Sequence, residues 1–209
     1  DFNNLLSIML GNIQIAQLDD NLAPDVKENL SNAENACHKA SKITQKFITF
    51  SKGGKPIKQA IDLKKYFAKN SVIALIPANI NVEINIFNQT WPIFADPNQF
   101  DQIVLNLITN AKEAMPDGGS IIISARNVVL KESNGEIEPG NYVKISFKDT
   151  GMGIKKENFQ KIFNPYYSTK NSTGLGLAVV HSIVKSHKGQ IDLHSKPEEG
   201  SEFSLLLPA

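Results

Sequence analysis

Two asparagines, Asn106 and Asn110, stand four residues apart in a stretch of helical periodicity and therefore share one face. Downstream lie two glycine signatures, Asp149-Thr150-Gly151-Met152-Gly153-Ile154 and Gly174-Leu175-Gly176-Leu177, about 25 residues apart. Asparagine is a mediocre helix former, so two stacked in mid-helix call for a reason beyond helix stability. Their side-chain carbonyls suit Mg²⁺, which takes few protein ligands and completes its shell with water and phosphate oxygens. The Asp149 carboxylate can accept from an exocyclic amine and so distinguish adenine from guanine. Gly151 and Gly153 let backbone approach a base closely. An apolar helix follows the second glycine pair, and the free N–H groups at its start favour polyphosphate. Lys112, beside Asn110, and Lys170, four residues before Gly174, can each offer a point charge to a terminal phosphate. This is the chemistry of a nucleotide site. It is not of the Walker or Rossmann kind, because neither G-x-x-x-x-G-K-[ST] nor a G-x-G-x-x-G opening a first β-α unit is present.

Each group has an ordinary alternative. An asparagine pair can be solvated surface, an aspartate before glycine can simply start a turn, and lysines mostly face solvent. The order of the whole set along the chain is what favours a ligand.

The asparagines belong to a helix over 97–115, capped by Asp96 with Pro97 at its first position. Ile103, Leu107 and Ala111 face a sheet, with Phe100, Val104 and Ile108 beside them, and Pro116-Asp117-Gly118-Gly119 ends the helix. Val82, Ile84 and Ile86 alternate as a half-buried strand, and Trp91–Ala95 reads as its short partner. Strands follow at about 120–130 and 141–148, joined by a Ser133-Asn134-Gly135 turn; a helix spans about 174–187, and strands close the chain near 190–195 and 202–207. The pattern predicts an α+β domain, a mixed sheet with its helices on one face.

The first quarter has a different period. Phe2, Leu5, Leu6, Met9, Ile13 and Ala16 predict a helix over 2–18, broken by Asp19-Asp20-Asn21 and Pro24. A second helix begins near Asp25 and runs to about Ser51. Val26, Ala33, Ala40 and Phe47 recur every seven residues, with Leu30, Cys37 and Thr44 as the complementary track, the seam of a helical bundle. Ile43 and Phe50 widen the stripe beyond what one partner helix covers, which points to pairing with a second copy of the chain. Gly53-Gly54-Lys55-Pro56 marks the boundary between a hairpin at 1–53 and a domain at 54–209.

A net charge of +1 gives no support for a nucleic-acid partner. No apolar run reaches the ~18 residues of a membrane span, and the single cysteine, Cys37, falls on the helical seam and fits a reducing, cytoplasmic setting. The chain opens inside an amphipathic pattern without an initiator methionine, which reads as part of something longer.

The chain resembles the transmitter core of sensor histidine kinases of two-component signalling, over essentially its whole length. Asp96-Pro97-Asn98-Gln99 through Asn106-Leu107-Ile108-Thr109-Asn110-Ala111 is similar to that family's N box, and Asp149–Ile154 to its first glycine box. Phe159 through Phe163-Asn164-Pro165-Tyr166-Tyr167-Ser168-Thr169-Lys170 resembles the F box, and Thr173–Leu177 the second glycine box. Glu199-Gly200-Ser201-Glu202-Phe203 resembles the last glycine box and closing strand. The resemblance implies an antiparallel helical hairpin forming a dimeric four-helix bundle, then the α/β sandwich ATP-binding fold shared with gyrase B and MutL. It implies ATP and Mg²⁺ as cofactors, with Mg²⁺ on Asn110. ATP contacts are implied for Asn106, Asn110, Lys112, Asp149, Gly151, Gly153, Ile154, Lys170, Thr173, Gly174, Leu175, Gly176, Leu177 and Ser201. Asn106 is implied as catalytic as well.

Asp1-Phe2-Asn3-Asn4-Leu5-Leu6 is similar to the H box without its first letter. The phosphoacceptor histidine would then immediately precede Asp1. Asp1 is cast as its acid/base partner, and Asn4 as the residue orienting water when a response regulator is dephosphorylated. None of His38, His181, His187 and His194 has such surroundings, so these read as surface or packing residues. One departure is the segment between Lys170 and Gly174, where Asn171-Ser172-Thr173 is shorter than the family's lids. Two rivals remain. An ATPase of the gyrase–MutL type wants a glutamate base where Asn106 stands, and a nucleotide-binding scaffold would be a kinase in shape alone.

Overall fold

A computed structural model describes residues 2–19, 22–51, 56–69, 76–133, 137–168 and 173–209, with the side chains of Phe2, Asn3, Lys39 and 41–51 excepted. Asp1, Lys170, the Gly53-Gly54 break, the Asn134-Gly135 turn and most of the short lid segment lie outside the described residues. The chain divides into two compact units, Asp1–Lys52 and Gly53–Ala209.

The first unit is a pair of helices, α1 (Phe2–Gln17) and α2 (Pro24–Ser51). Pro24 does not precede the second helix as a breaker but occupies its first turn, where a missing N–H costs nothing. Gln14 and Gln17 reach across from α1 and donate to the Glu34 carboxylate at 3.2 and 3.4 Å. The seam residues Leu30, Ala33, Cys37 and Ala40 are half-buried, and Leu6 is buried. Leu5, Ile8, Met9, Ile15 and Leu18 remain exposed.

The second unit begins with β1 (Gln59–Ile61), α3 (Leu63–Lys69), β2 (Ile80–Ile86), β3 (Ile93–Ala95) and α4 (Pro97–Ala114). It continues with β4 (Gly119–Leu130), β5 (Gly140–Asp149), α5 (Gly176–Ser186), β6 (Gln190–Lys196) and β7 (Gly200–Pro208). Five strands form one sheet in the order β2-β4-β5-β7-β6, with β2 parallel to β4 and the other pairs antiparallel. By register, Ile121, Ile123 and Ala125 on β4, Ile145 and Phe147 on β5, and Phe203 and Leu205 on β7 point to one face. There they share a single core with Phe100, Ile103, Val104 and Leu107 of α4 and Val179, Val180, Ile183 and Val184 of α5. The opposite face carries Lys144, Lys148, Glu202 and His194, together with a buried Ser146–Ser204 hydroxyl pair at 3.0 Å.

Two expectations are corrected. The Trp91–Ala95 segment does not pair with the strand before it: β3 pairs with β1, and β2 pairs with β4. Asn127 of β4 explains the difference, accepting from Trp91 N–H and donating to the Gln89 carbonyl, both at 2.9 Å. That clamp carries the chain across β4 instead of back along β2. Within the alternation expected of a half-buried strand, Ile86 is buried but Ile84 is 39% exposed on the edge strand β2.

Among the described residues no helix is long and apolar enough to cross a membrane.

Candidate functional site

α4 starts where Asp96 caps it, its Oδ1 accepting from the N–H groups of Asn98 and Gln99 at 3.0 and 3.2 Å. With the apolar stripe held on the core, Asn106 and Asn110 fall on the adjoining face. Asn106 is 6% exposed, so it is not solvated surface. Its Oδ1 accepts from Gln102 Nε2, one turn earlier, at 3.2 Å. The Nδ2 groups of both asparagines are buried without a hydrogen-bond partner among the described residues. An unmet buried donor costs on the order of 1–3 kcal/mol, so two side by side mark a place for an incoming acceptor. A half-turn of χ2 lets an asparagine amide present oxygen instead of nitrogen, so the pair suits an anionic oxygen or a cation.

Facing them is the first residue of α5. A Cβ built on Gly176 would stand 3.7 Å from Asn106 Oδ1 and 3.8 Å from Asn110 Oδ1, ordinary contact distances. The helix geometry tolerates a side chain there, yet a side chain would fill the space against the amides. Gly174 differs. Its φ is +64°, and a Cβ would lie 2.6 Å from the Tyr166 carbonyl carbon, so the fold itself demands glycine. Leu175 is buried, Leu177 packs on the core and Thr173 is half-buried. Among the described residues no side chain caps the start of α5, where a helix presents unmatched first-turn N–H groups.

Asp149 ends β5 and is 4% exposed. Its Oδ1 accepts from Gly151 N–H at 2.8 Å and from Ser201 N–H at 3.3 Å, and Ser201 is its register partner on β7. The Asp149 loop docks on the end of α4, with Met152 N–H donating to the Ala114 carbonyl at 3.1 Å and a Cβ on Gly151 meeting Ala114 Cβ at 2.6 Å. Gly153 has φ +67° and sits against the Lys196 carbonyl, leaving no room for a side chain. Ile154 N–H donates to Ser195 Oγ at 2.8 Å, and Ser195 Oγ donates to the Gly200 carbonyl at 2.9 Å.

The structure therefore groups Asn106, Asn110 and Gly176, and separately groups Asp149, Gly151 and Ser201, with α4 touching both. Lys112 is not brought to the asparagines: it is exposed, and two residues along a helix turn its side chain roughly 200° away from Asn110. Asn4 is exposed on α1. Gln102 and Ser195 were not legible as site residues, since one glutamine in a polar stretch or one serine in a strand carries no signal. Among the described residues no group of three His, Cys, Asp or Glu could hold a metal.

His38 and His194 are exposed, and the His181 ring stands 5.5 Å from that of Phe163. His187 is 1% exposed, and burial above all holds its pKa below the ordinary imidazole value.

A family model described as histidine kinase-, DNA gyrase B-, and HSP90-like ATPase matches residues 95–209. Sensor histidine kinase ZraS of Escherichia coli (strain K12) is 40% identical over 156 residues, 72% of this chain and 31% of that protein. Sensor kinase CckA of Brucella abortus (strain 2308) is 29% identical over 217 residues, all of this chain and 23% of that protein. The chain thus spans less than a third of either relative. Full-length ShkA, crystallised in complex with AMPPNP, shares the fold with a TM-score of 0.76 at 19% identity, over 99% of this chain and 43% of that one. The nucleotide-free catalytic domain of histidine kinase ThkA aligns with a TM-score of 0.57 at 26% identity, over 72% of this chain and 95% of that one.

Proposed function

The chain belongs to the histidine kinase-, DNA gyrase B-, and HSP90-like ATPase family and has the transmitter core of sensor histidine kinases, and from that premise we propose how its residues divide the work. Residues 54–209 form the ATP-binding domain and residues 1–53 the dimerising phosphotransfer hairpin, completed to a four-helix bundle by a second copy. Asp149 accepts from the adenine amine while Gly151, Gly153 and Ile154 lie along the base. The uncapped start of α5, at Thr173–Leu177, receives the phosphates, and Lys170 offers them a point charge. Ser201 supports Asp149 from β7. Asn110 holds Mg²⁺, and Asn106 offers an N–H to a phosphate oxygen. Bound Mg²⁺ supplies neutralisation of phosphoryl charge.

The γ-phosphate goes to the histidine that immediately precedes Asp1, whose carboxylate orients the imidazole and takes its proton. The phosphoryl group then passes to an aspartate of a response regulator docked on the hairpin, and Asn4 orients water for its later removal. Imidazole attack needs little covalent help, so the protein's share is mostly positioning.

The observation that carries the reading is the pair of buried Nδ2 groups on Asn106 and Asn110 with no acceptor among the described residues, on side chains whose Oδ1 atoms face the bare Gly176 at the start of α5. The test is titration calorimetry of Mg-ATP on Asp149→Asn. Asparagine keeps an oxygen for the Gly151 and Ser201 N–H groups, so the fold should survive. Its amide places a donor against the adenine amine, and affinity should fall about 100-fold or more. Affinity unchanged within error would remove Asp149 from the base site.

A further inference from the structure

We infer that His187 is a positioning residue for the nucleotide site: it pins the C-terminal end of α5 to the N-terminal end of α4, and so holds Gly176, at the other end of α5, against Asn106 and Asn110 further along α4. This rests on the nucleotide reading above.

The ring is 1% exposed and both nitrogens are committed. Nε2 accepts from Asp96 N–H at 2.9 Å, and Nδ1 lies 2.8 Å from the Ile183 carbonyl. A backbone N–H can only donate and a carbonyl can only accept, so the partners fix the neutral tautomer with its proton on Nδ1. Asp96 is itself a hub. Its Oδ1 caps α4, its Oδ2 accepts from Ile57 N–H at 2.9 Å, and its own N–H is the group given to His187. An apolar ring would fill the same space without fixing direction. Two hydrogen bonds on opposite edges of the ring fix where the helix end sits and how it is turned.

The geometry is a lever. At 1.5 Å per residue, Asn106 lies ~15 Å from Asp96 along α4, and Gly176 lies ~16 Å from His187 along α5. A tilt of about 4° at the pinned ends moves the site by about 1 Å, and a 1 Å misplacement of this kind can cost about 100-fold in function.

Charge around the ring agrees with the neutral form. Burial and Lys58 disfavour the imidazolium more than the Ile183 carbonyl and Asp96 favour it, so the folded pKa lies below the ordinary 6.5. The unfolded chain then takes up the proton first as the medium is acidified. The contribution of His187 to stability is full above pH 6.5 and is lost as pH falls below it. An imidazolium would set an N–H against the Asp96 N–H and break the pin.

The experiment compares the full chain with His187→Phe and His187→Gln, at a temperature where circular dichroism shows each folded. Phenylalanine fills the space without either hydrogen bond, whereas glutamine can accept and donate but cannot titrate. At about pH 7.5 the Mg-ATP dissociation constant of His187→Phe should rise about tenfold or more, and His187→Gln should recover most of that. Between about pH 7.5 and pH 5.5 the wild type should lose urea-unfolding stability that His187→Gln keeps, because the unfolded histidine takes up a proton that the buried ring refuses, while His181 and His194 are common to both proteins. Without nucleotide, amide exchange in the first turn of α5 should be faster in His187→Phe. Binding by His187→Phe within twofold of wild type, or unchanged exchange in that turn, overturns the inference. If His187→Phe does not fold, unfolding of wild type and His187→Gln that responds to pH in parallel overturns the neutral pin instead. Failure of the wild type to bind Mg-ATP would sink the nucleotide reading alone, and the exchange comparison would still decide whether His187 sets the position of α5.

Discussion

In the sheet unit Ile123, Val143, Ile145 and Leu205 are completely buried, whereas in the hairpin Ile8, Ile15 and Leu18 stand 61%, 68% and 79% exposed. Both segments are rich in apolar residues, so composition does not separate them. What differs is how many elements share the burial. Seven strands and three helices contribute to one core in the second unit, the longer strands lending alternate residues. Two helices can cover only one stripe of each other, and the remaining apolar surface needs a partner. The sheet unit can thus enclose a site with its own residues, whereas the hairpin leaves Ile8, Ile15 and Leu18 exposed.

The largest predicted effect tests that contrast directly. Leu205→Ala should cost about 3 kcal/mol in urea unfolding, the scale of a large-to-small change in a closed core. Ile15→Ala should leave unfolding within about 0.5 kcal/mol yet weaken self-association by light scattering. Equal losses of stability in both variants would erase the distinction between the units.

The second glycine signature sharpens the comparison on a smaller scale, because the fold requires one of its glycines and tolerates a side chain at the other. Gly174→Ala forces a side chain into a left-handed backbone against Tyr166 and should cost about 2 kcal/mol. Gly176→Ala should leave stability unchanged or raise it by roughly 0.5–1 kcal/mol, as alanine does in a helix. It should still weaken Mg-ATP binding in calorimetry by filling the space facing Asn106 and Asn110. If Gly176→Ala bound as well as wild type, that space would not be the phosphate site.

The smallest effect concerns the end of α5. Lys188 has φ 60°, with Lys188 N–H donating to the Lys185 carbonyl and Gly189 N–H to that of Val184, both at 2.9 Å. That is a helix stop usually built on glycine. Its charge also helps lower the pKa of Lys58, second to burial. Lys188→Gly should raise stability by about 0.5–1 kcal/mol, measurable as a higher melting temperature. A drop would mean that the lysine side chain holds something the backbone geometry does not reveal.

Much of the sheet unit was legible in advance. The long elements α4, β4, β5, α5 and β7 follow from periods sustained over many residues, and Asp96-Pro97 marks the start of α4 by local chemistry alone. β1 and α3 were missed, being a three-residue strand and a seven-residue helix, too short for a period to emerge. The partner of β3 was misread because pairing depends on Asn127, far along the chain. At the site, the shared face of Asn106 and Asn110 was visible from their spacing. Their burial was not, since it depends on α5 lying across them.

What the sequence determined by itself are properties set within a few residues: which stretches are helix or strand, which side chains share a face, where a cap or a left-handed turn falls. What only the tertiary structure decided are properties set by approach. Gly174 and Gly176 look alike in the chain, and it is the packing of Tyr166 on one and of two asparagines on the other that separates them. His187 reads as an ordinary packing residue until Asp96, distant in sequence, presents its N–H to the ring. Local preferences act through bonded neighbours and leave a mark in spacing. Hydrogen bonds across a core join residues whose separation in sequence is arbitrary, so no spacing records them.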